Sequence, residues 1–190
     1  VEPVRIIHSP WRNDRGGTKA SLTGSRMEEK KCMVVTGAVH QSLDIAWLKR
    51  RTPDDAHCVA TDITSGLSMI AVMGPNTRAL LQKLSGADLS NAAFPFGTSQ
   101  EIEIGYARVR ASRITYVGEL GWELYIPTEF ASHVFECLQA AGAEFGLATA
   151  GMHTMNHCST ETAYRPWGPG CSAERAPHTP VVVYAMDREQ

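Results

Sequence analysis

Apolar residues along the chain either form short runs or recur at helical spacing, and the two patterns predict different elements. Short apolar or alternating runs predict strands at residues 4–7, 31–36, 58–63, 67–73, 101–104 and 107–109. Helical spacing predicts three helices, whose apolar residues are Leu43, Ala46 and Trp47, then Ala79, Leu80, Leu81 and Leu84, then Phe130, Val134, Leu138 and Ala141. Because strands and helices follow without a regular βαβ rhythm, the pattern predicts an α+β fold with antiparallel-rich sheets and packed helices.

Residues 113–126, RITYVGELGWELYI, form the most informative stretch. Two apolar and aromatic arms flank Gly118 and Gly121, and glycine permits a sharp reversal of the chain, so the stretch predicts a hairpin with Glu119 at its turn. Glutamate is a poor turn residue by propensity, which makes Glu119 a candidate binding carboxylate. The alternative is an ordinary solvated side chain at a turn.

Turn residues and aromatic residues predict several further features. Asn13, Gly16 and Gly17 lie in NDRGG, which predicts a turn between two strands, although residues 19–24 lack the alternation that would define the second strand. The single glycine at the turn formed by residues 74–76 does not match a nucleotide-binding loop. Phe94 and Phe96 flank a proline, and we expect them to plug the core.

Composition and charge narrow the classes of function. The 190 residues carry a net charge of -2, so no basic field favours nucleic acid. No apolar run is long enough for a membrane span. The first residues lack the apolar core of a secretory signal, and the absence of an initiator Met predicts a fragment of a longer protein.

The cysteines and histidines indicate neither disulfides nor a metal site. Five cysteines are present, which is an odd number, and no two have C-x-x-C spacing. This pattern is typical of free thiols in a reducing compartment. His153 and His157 are four residues apart, but no third ligand is near them in the sequence, so we expect no bound metal.

Several motifs together resemble one family. The run TYVGELGWELYIP at residues 115–127 is similar to the signature of the folate-binding domain of the glycine-cleavage T-protein (aminomethyltransferase) family. It is most similar to the version fused behind the flavin domain of sarcosine and dimethylglycine dehydrogenases. The resemblance extends in order over NDRGG, VVTGAVHQSLDIAWL, ATDITSGLSMIAVMGPNTRALLQKL, DLSNAAFPF and ETAYRPWG, or residues 11–168.

The resemblance implies a partial T-protein-like folate-binding fold and a set of site residues. Residues 1–66 would be part of a first lobe and 67–168 a second lobe, while the Pro-rich residues 169–190 predict a disordered tail. It also implies a helix over residues 150–164. The cofactor would be tetrahydrofolate, with FAD only in a missing N-terminal domain of the parent enzyme. The residues implied to bind folate are Tyr116, Gly118, Glu119, Glu161, Tyr164 and Trp167. Of these, Glu119 would hydrogen-bond the pterin ring, and Tyr116 and Trp167 would line the pocket.

The chain departs from the family at two positions that bear on activity. The acidic residue that follows the NDRGG turn in the family is replaced by Ala20 or Ser21, and Ser159 occupies the position of a family arginine. Neither replacement at the acidic position carries a charge, so we expect methylene transfer from an N-methyl amine to tetrahydrofolate to be reduced or absent.

Two interpretations of the chain therefore stay open, an impaired one-carbon enzyme domain or a non-catalytic member. The non-catalytic member would resemble the regulatory subunit of pyruvate dehydrogenase phosphatase, with a protein partner or the missing lobes of the parent chain. The resemblance implies the mitochondrial matrix for a eukaryotic protein and the cytoplasm for a bacterial one. The resemblance does not indicate which N-methyl amine is the substrate of the parent enzyme.

Overall fold

Residues 4–164 are described by the computed structural model, and they fall into two units. The first unit comprises residues 4–6 and 64–164, and the second comprises residues 7–63. The predicted α+β class with antiparallel sheets is confirmed. The limits of the two lobes remain a prediction. Trp167 and the tail at 169–190 lie outside the described residues.

The second unit contains three strands and one helix. They are β1 (Val4–Arg12, whose first three residues belong to the first unit), β2 (Thr18–Glu28), β3 (Lys31–Val35) and α1 (Gln41–Arg51). The predicted NDRGG turn joins β1 to β2. Its Asn13 Oδ1 accepts hydrogen bonds from the backbone N–H groups of Arg15 and Gly17, both at 2.9 Å. An asparagine side chain that bonds its own downstream backbone holds the chain in a tight reversal.

Two predictions for the second unit are wrong. Leu43, expected on the buried face of α1, is 54% exposed, and the buried residue of this helix is Asp44. Asp44 accepts a hydrogen bond from the Thr36 hydroxyl, so the buried position of this helix makes a polar contact. Residues 58–63 form no strand and are mostly exposed. Their Asp62 accepts instead from Gln41 Nε2 at 2.6 Å, and strand propensity without a pairing partner does not make a strand.

The first unit is built on a four-stranded antiparallel sheet with helices. Its elements are β4 (Leu67–Met73), α2 (Thr77–Leu84), β5 (Thr98–Ile104), β6 (Ala107–Ser112), β7 (Gly121–Pro127), α3 (Ala131–Gly142) and α4 (Met152–Glu161). The strands lie in the order β5-β6-β7-β4. The β5–β6 hairpin and all four helices were predicted, and each is confirmed, the last of them as α4.

The core of this unit lies on one face of β7. Trp122, Leu124 and Ile126 alternate along the strand and are fully buried, packed in one cluster with side chains of α2 and α3. Phe94 packs edge to face on Trp122, with ring centroids 5.9 Å apart. The predicted plug is therefore Phe94, whereas Phe96 is 63% exposed.

The predicted hairpin over residues 113–126 is half wrong. Its second arm is β7, but residues 113–120 form a loop and not a strand. The reason is that both edges of β7 are already occupied: β4 pairs along its whole length, and β6 pairs through Arg110, Ala111 and Ser112. The first arm therefore has no free strand edge to pair with, and Glu119 lies in a loop that leads into β7.

No helix within residues 4–164 is both long and apolar enough to cross a membrane.

Candidate functional site

The end of α4 is pinned against the loop that carries the predicted binding residues. The Thr162 hydroxyl, just after α4, donates to the backbone carbonyl of Val117 at 2.9 Å. Gly118 follows with φ of +78°, and a Cβ placed there would lie 2.7 Å from Thr162 Cβ and Oγ1. Two of the sequence motifs that carry the resemblance, one around Gly118 and one around Glu161, are thus in contact within the first unit.

The remaining predicted residues differ widely in burial and contacts. Tyr116 is half exposed and Glu119 is exposed in the loop. Glu161 is also exposed, and its Oε1 lies 3.1 Å from His157 Nε2. Tyr164 donates its backbone N–H to the Ser159 carbonyl at 2.8 Å, which closes the last turn after α4. Ser159 itself is buried and bonds the Asn156 carbonyl at 3.0 Å.

A carboxylate that the sequence did not single out lies close by, on β7. Glu123 is only 2% exposed and accepts a hydrogen bond from the Tyr125 hydroxyl. Burial raises the pKa of Glu123, and the Tyr125 bond offsets part of that rise. The pKa of Tyr116 is also raised, first by burial and then by the negative charge of Glu123. One buried acid therefore interacts with both tyrosines.

Alternation along β7 places Glu123 on the face opposite the core but does not indicate that it is buried. Trp122, Leu124 and Ile126 form its apolar face, so Glu123 and Tyr125 fall on the opposite face, beside Ser112 of β6. In an isolated strand that second face would be taken as the solvent side. Its burial is a tertiary feature. Burying a carboxylate with a single hydrogen-bond donor costs free energy, which makes Glu123 a candidate functional group.

The position of the family's acidic residue is occupied by a neutral pair. Ala20 is buried, and the Ser21 hydroxyl lies 2.8 Å from His8 Nε2 within the second unit. Partial desolvation by the surrounding protein lowers the pKa of His8, whose side chain is still exposed at one side, and this favours the neutral imidazole. Ser21 and His8 therefore place two uncharged polar groups at this position and no anion.

The described residues form no group of three or more His, Cys, Asp or Glu side chains that could hold a metal ion. Four cysteines lie in the described part of the chain, all as free thiols: Cys32, Cys58, Cys137 and Cys158.

The family described as "GCVT N-terminal domain" matches residues 1–187. The chain belongs to this GCVT family.

Relatives in the GCVT family include enzymes and a regulatory protein. The chain is 36% identical over 182 residues to mitochondrial sarcosine dehydrogenase of Mus musculus, covering 87% of this chain and 20% of that protein. It is 34% identical over 164 residues to mitochondrial dimethylglycine dehydrogenase of Rattus norvegicus, covering 86% and 19%. It is 28% identical over 164 residues to the mitochondrial pyruvate dehydrogenase phosphatase regulatory subunit of Mus musculus, covering 86% and 19%.

The fold of this GCVT chain is shared with a solved structure. The glycine cleavage system aminomethyltransferase T from Bartonella henselae superposes with a TM-score of 0.81 at 21% identity, over 100% of this chain and 49% of that one. The chain spans about a fifth of the length of the curated relatives above. The resemblance to T-protein and to the two dehydrogenases is thereby confirmed.

Proposed function

We propose that this chain is the tetrahydrofolate-binding portion of a one-carbon enzyme of the sarcosine or dimethylglycine dehydrogenase type. In such an enzyme, a methylene unit would pass from an N-methyl amine to tetrahydrofolate. The buried Glu123, bonded by Tyr125 and within electrostatic reach of Tyr116, is the observation that carries the proposal.

The chemistry of Glu123 fits a pterin ring. A pterin presents adjacent N–H donors, and a carboxylate accepts two such bonds in parallel. In the described structure Tyr125 donates to one oxygen of Glu123, and the raised pKa of the carboxyl indicates a charge that is poorly compensated. Two further donors from a ligand would stabilise that charge. We therefore assign pterin binding to Glu123, and a weaker role to the exposed Glu119.

The other predicted residues fit around this carboxylate. Tyr116 would contact the ring with its half-exposed side chain, and Gly118 holds the loop against the end of α4. Glu161 and Tyr164 lie at and just after that helix end. Tetrahydrofolate would supply the nucleophilic amine that accepts the one-carbon unit. FAD would belong to the part of the longer relatives that this chain does not span.

Transfer by this chain is expected to be weak. Neither Ala20 nor Ser21 provides the anion that the resemblance assigns to that position, and a missing charge at a reacting centre typically lowers the rate about 100-fold or more. We propose the mitochondrial matrix as the location if the chain is eukaryotic, because the dehydrogenase relatives are mitochondrial proteins.

A titration with tetrahydrofolate, followed by calorimetry, tests the proposal. We expect saturable binding with a one-to-one ratio. Para-aminobenzoylglutamate is the matched ligand control, because it has the folate tail without the pterin, and we expect it to bind far more weakly. Equal affinity for the two ligands, or no binding by a chain shown to be folded by circular dichroism, would contradict the proposal.

Replacing Ser21 by Asp is expected to increase transfer by about 100-fold or more, since it restores an anion at the acidic position. The measurement is the rate at which glycine or sarcosine consumes 5,10-methylenetetrahydrofolate, which is the transfer run in reverse. Ser21→Asn is the control of equal size without charge. The new carboxylate should also raise the pKa of His8, its partner at 2.8 Å, in an NMR titration. Equal rates for the two variants would show that the missing anion does not limit transfer.

A second candidate function is regulatory rather than catalytic. It is supported by the uncharged contact between Ser21 and His8, which provides no anion for transfer, and by the similarity to the phosphatase regulatory subunit. On this alternative, the chain would bind folate or a protein partner without transferring a one-carbon unit. Ser21→Asp would then leave transfer at background even though tetrahydrofolate binds.

A further inference from the structure

The second unit contains a groove that the proposed folate site does not use. It has a volume of about 330 Å³ and lies between the end of β1 and the C-terminal half of α1. The residues lining it are Pro10, Trp11, Arg12, Trp47, Leu48 and Arg51. Small-molecule sites commonly measure about 300 to 1,000 Å³ and combine apolar walls with a few polar groups, so this groove is large enough for one small ligand.

The walls of the groove are mostly apolar. Trp11 and Trp47 are both half-buried, so their rings are partly accessible from outside. Four of the six lining residues are apolar, and two of those four are tryptophans. Tryptophan provides a large flat surface at a low entropic cost, which favours contact with a planar ring.

Positive charge surrounds one of these tryptophans, Trp47. Arg51 Cζ lies 4.6 Å from the centre of the Trp47 ring, Lys19 Nζ lies 5.8 Å from it and Arg50 Cζ 6.0 Å. Arg12 and Arg51 are the two cations among the residues that line the groove. Basic residues in the last turn of α1 complement the helix dipole, but that does not account for Lys19 and Arg12, which come from strands.

A single carboxylate balances part of this charge. Asp14 Oδ1 accepts from Arg51 Nη2 at 2.7 Å. Within residues 4–164, Arg12, Lys19 and Arg50 form no ion pair. Four cations therefore line the groove or face Trp47, and one acid, Asp14, is paired with one of them. This leaves an excess of positive charge beside an aromatic surface.

We propose that this groove binds a small aromatic carboxylate, meaning one planar ring that carries a single carboxylate. The ring packs against the tryptophan and leucine walls, and the carboxylate is held by Arg12 and by the guanidinium edge of Arg51 that Asp14 leaves open. An arginine fork matches the two oxygens of a carboxylate, and a ring enclosed by indoles is stabilised by dispersion and burial. A phosphate without a ring would not use the indoles, and an uncharged ring would not use the arginines.

The test is an NMR titration of the whole chain with 4-fluorobenzoate, run first without tetrahydrofolate and then with saturating tetrahydrofolate. The indole N–H signals of the four tryptophans report binding, and Trp11→Phe and Trp47→Phe assign two of them. We expect the signals of Trp11 and Trp47 to shift, with a Kd on the order of 1 mM for a ligand of this size. The buried Trp122 should not shift.

Two variants and one neutral ligand make the test decisive. Arg12→Gln, at an exposed side chain without an ion pair among the described residues, should weaken binding about fivefold or more. Asp14→Asn should strengthen it, because the ligand no longer competes with a carboxylate for Arg51. 4-Fluorobenzamide, which has the same shape without charge, should not bind measurably.

Four results would overturn the proposal. The first is that the Trp11 and Trp47 signals do not shift up to about 20 mM 4-fluorobenzoate, a concentration about twentyfold above the expected Kd. The second is that 4-fluorobenzamide binds equally well, and the third is that Arg12→Gln has unchanged affinity. The fourth is that 4-fluorobenzoate binding is lost on addition of tetrahydrofolate. The last result would mean that the groove is part of the folate site. A chain that fails to bind tetrahydrofolate but still binds 4-fluorobenzoate would contradict the proposed function and leave this inference standing.

Discussion

Replacing Glu123 by Gln is expected to weaken tetrahydrofolate binding by about tenfold to 150-fold and to make the folded chain more stable at neutral pH. Hydrogen bonds to a charged group contribute about 1.5–3 kcal/mol each, and glutamine can accept only one of the two bonds that a pterin would donate. The same substitution removes a buried negative charge. Glutamine has the same shape as glutamate and its side-chain oxygen can still accept the hydrogen bond from the Tyr125 hydroxyl. The gain in folding stability is therefore not offset by a cavity or a steric clash.

The direction of the stability change follows from the pKa of Glu123, which folding raises. The folded chain then holds this proton to a higher pH than the unfolded chain does. The stability that this bound proton contributes is complete below the pKa that Glu123 has in the unfolded chain. It is lost as the pH rises through the pKa that Glu123 has in the folded chain. Glu123→Gln does not titrate, so its advantage should be absent in acid and on the order of 1 kcal/mol at pH 7, as is common where function requires a destabilised site.

Thermal unfolding at several pH values, together with calorimetry of tetrahydrofolate binding, measures both effects. Glu119→Gln is the matched control, since this glutamate is exposed in the neighbouring loop. It should change neither the pH dependence nor the affinity by more than a few fold. If Glu119→Gln abolished binding and Glu123→Gln did not, pterin recognition would belong to Glu119, as the resemblance first implied.

Gly118→Ala is expected to destabilise the first unit by about 2–3 kcal/mol, through backbone strain and a steric clash together. At φ of +78° a residue with a Cβ is strained by about 1–2 kcal/mol. The new Cβ would also lie 2.7 Å from Thr162 Cβ, well inside normal contact. The end of α4 would have to move away from the loop, which would break the hydrogen bond from Thr162 to Val117.

A double-mutant cycle with Thr162→Gly separates the two contributions, with the free energy of unfolding measured in urea. Glycine at 162 removes the side chain that the new Cβ would meet, so Gly118→Ala should be less destabilising by about 1 kcal/mol or more in that background. The strain at 118 should remain. Additive effects of the two substitutions would show that the loop and the end of α4 are not in contact in solution.

Local patterns predicted much of the fold because the physical cause was local. The helical spacing of Val134 and Leu138 defined the buried side of α3, and both side chains are buried there. The Asn13 turn formed as predicted because an asparagine side chain bonds its own neighbouring backbone. The β5–β6 hairpin turns at Gly105, whose φ of +57° suits glycine.

The wrong predictions share a cause, which is that strand pairing and burial depend on distant residues. Residues 113–117 have strand propensity, but β4 and β6 already occupy both edges of β7. Leu43 has the spacing of a core residue, but the buried residue of α1 is Asp44, which is bonded to Thr36. Neither competing partner can be identified from the local pattern alone.

By itself the sequence determined the family and the α+β class, since these depend on motifs and on short-range periodicity. It drew attention to Glu119, the glutamate at the apparent turn. Only the tertiary structure distinguished an exposed Glu119 from a buried Glu123 four residues later. The reason is that the burial of this carboxylate depends on what packs against the second face of its strand. Alternation with a period of two predicts which face a side chain lies on, but it does not predict what packs against that face.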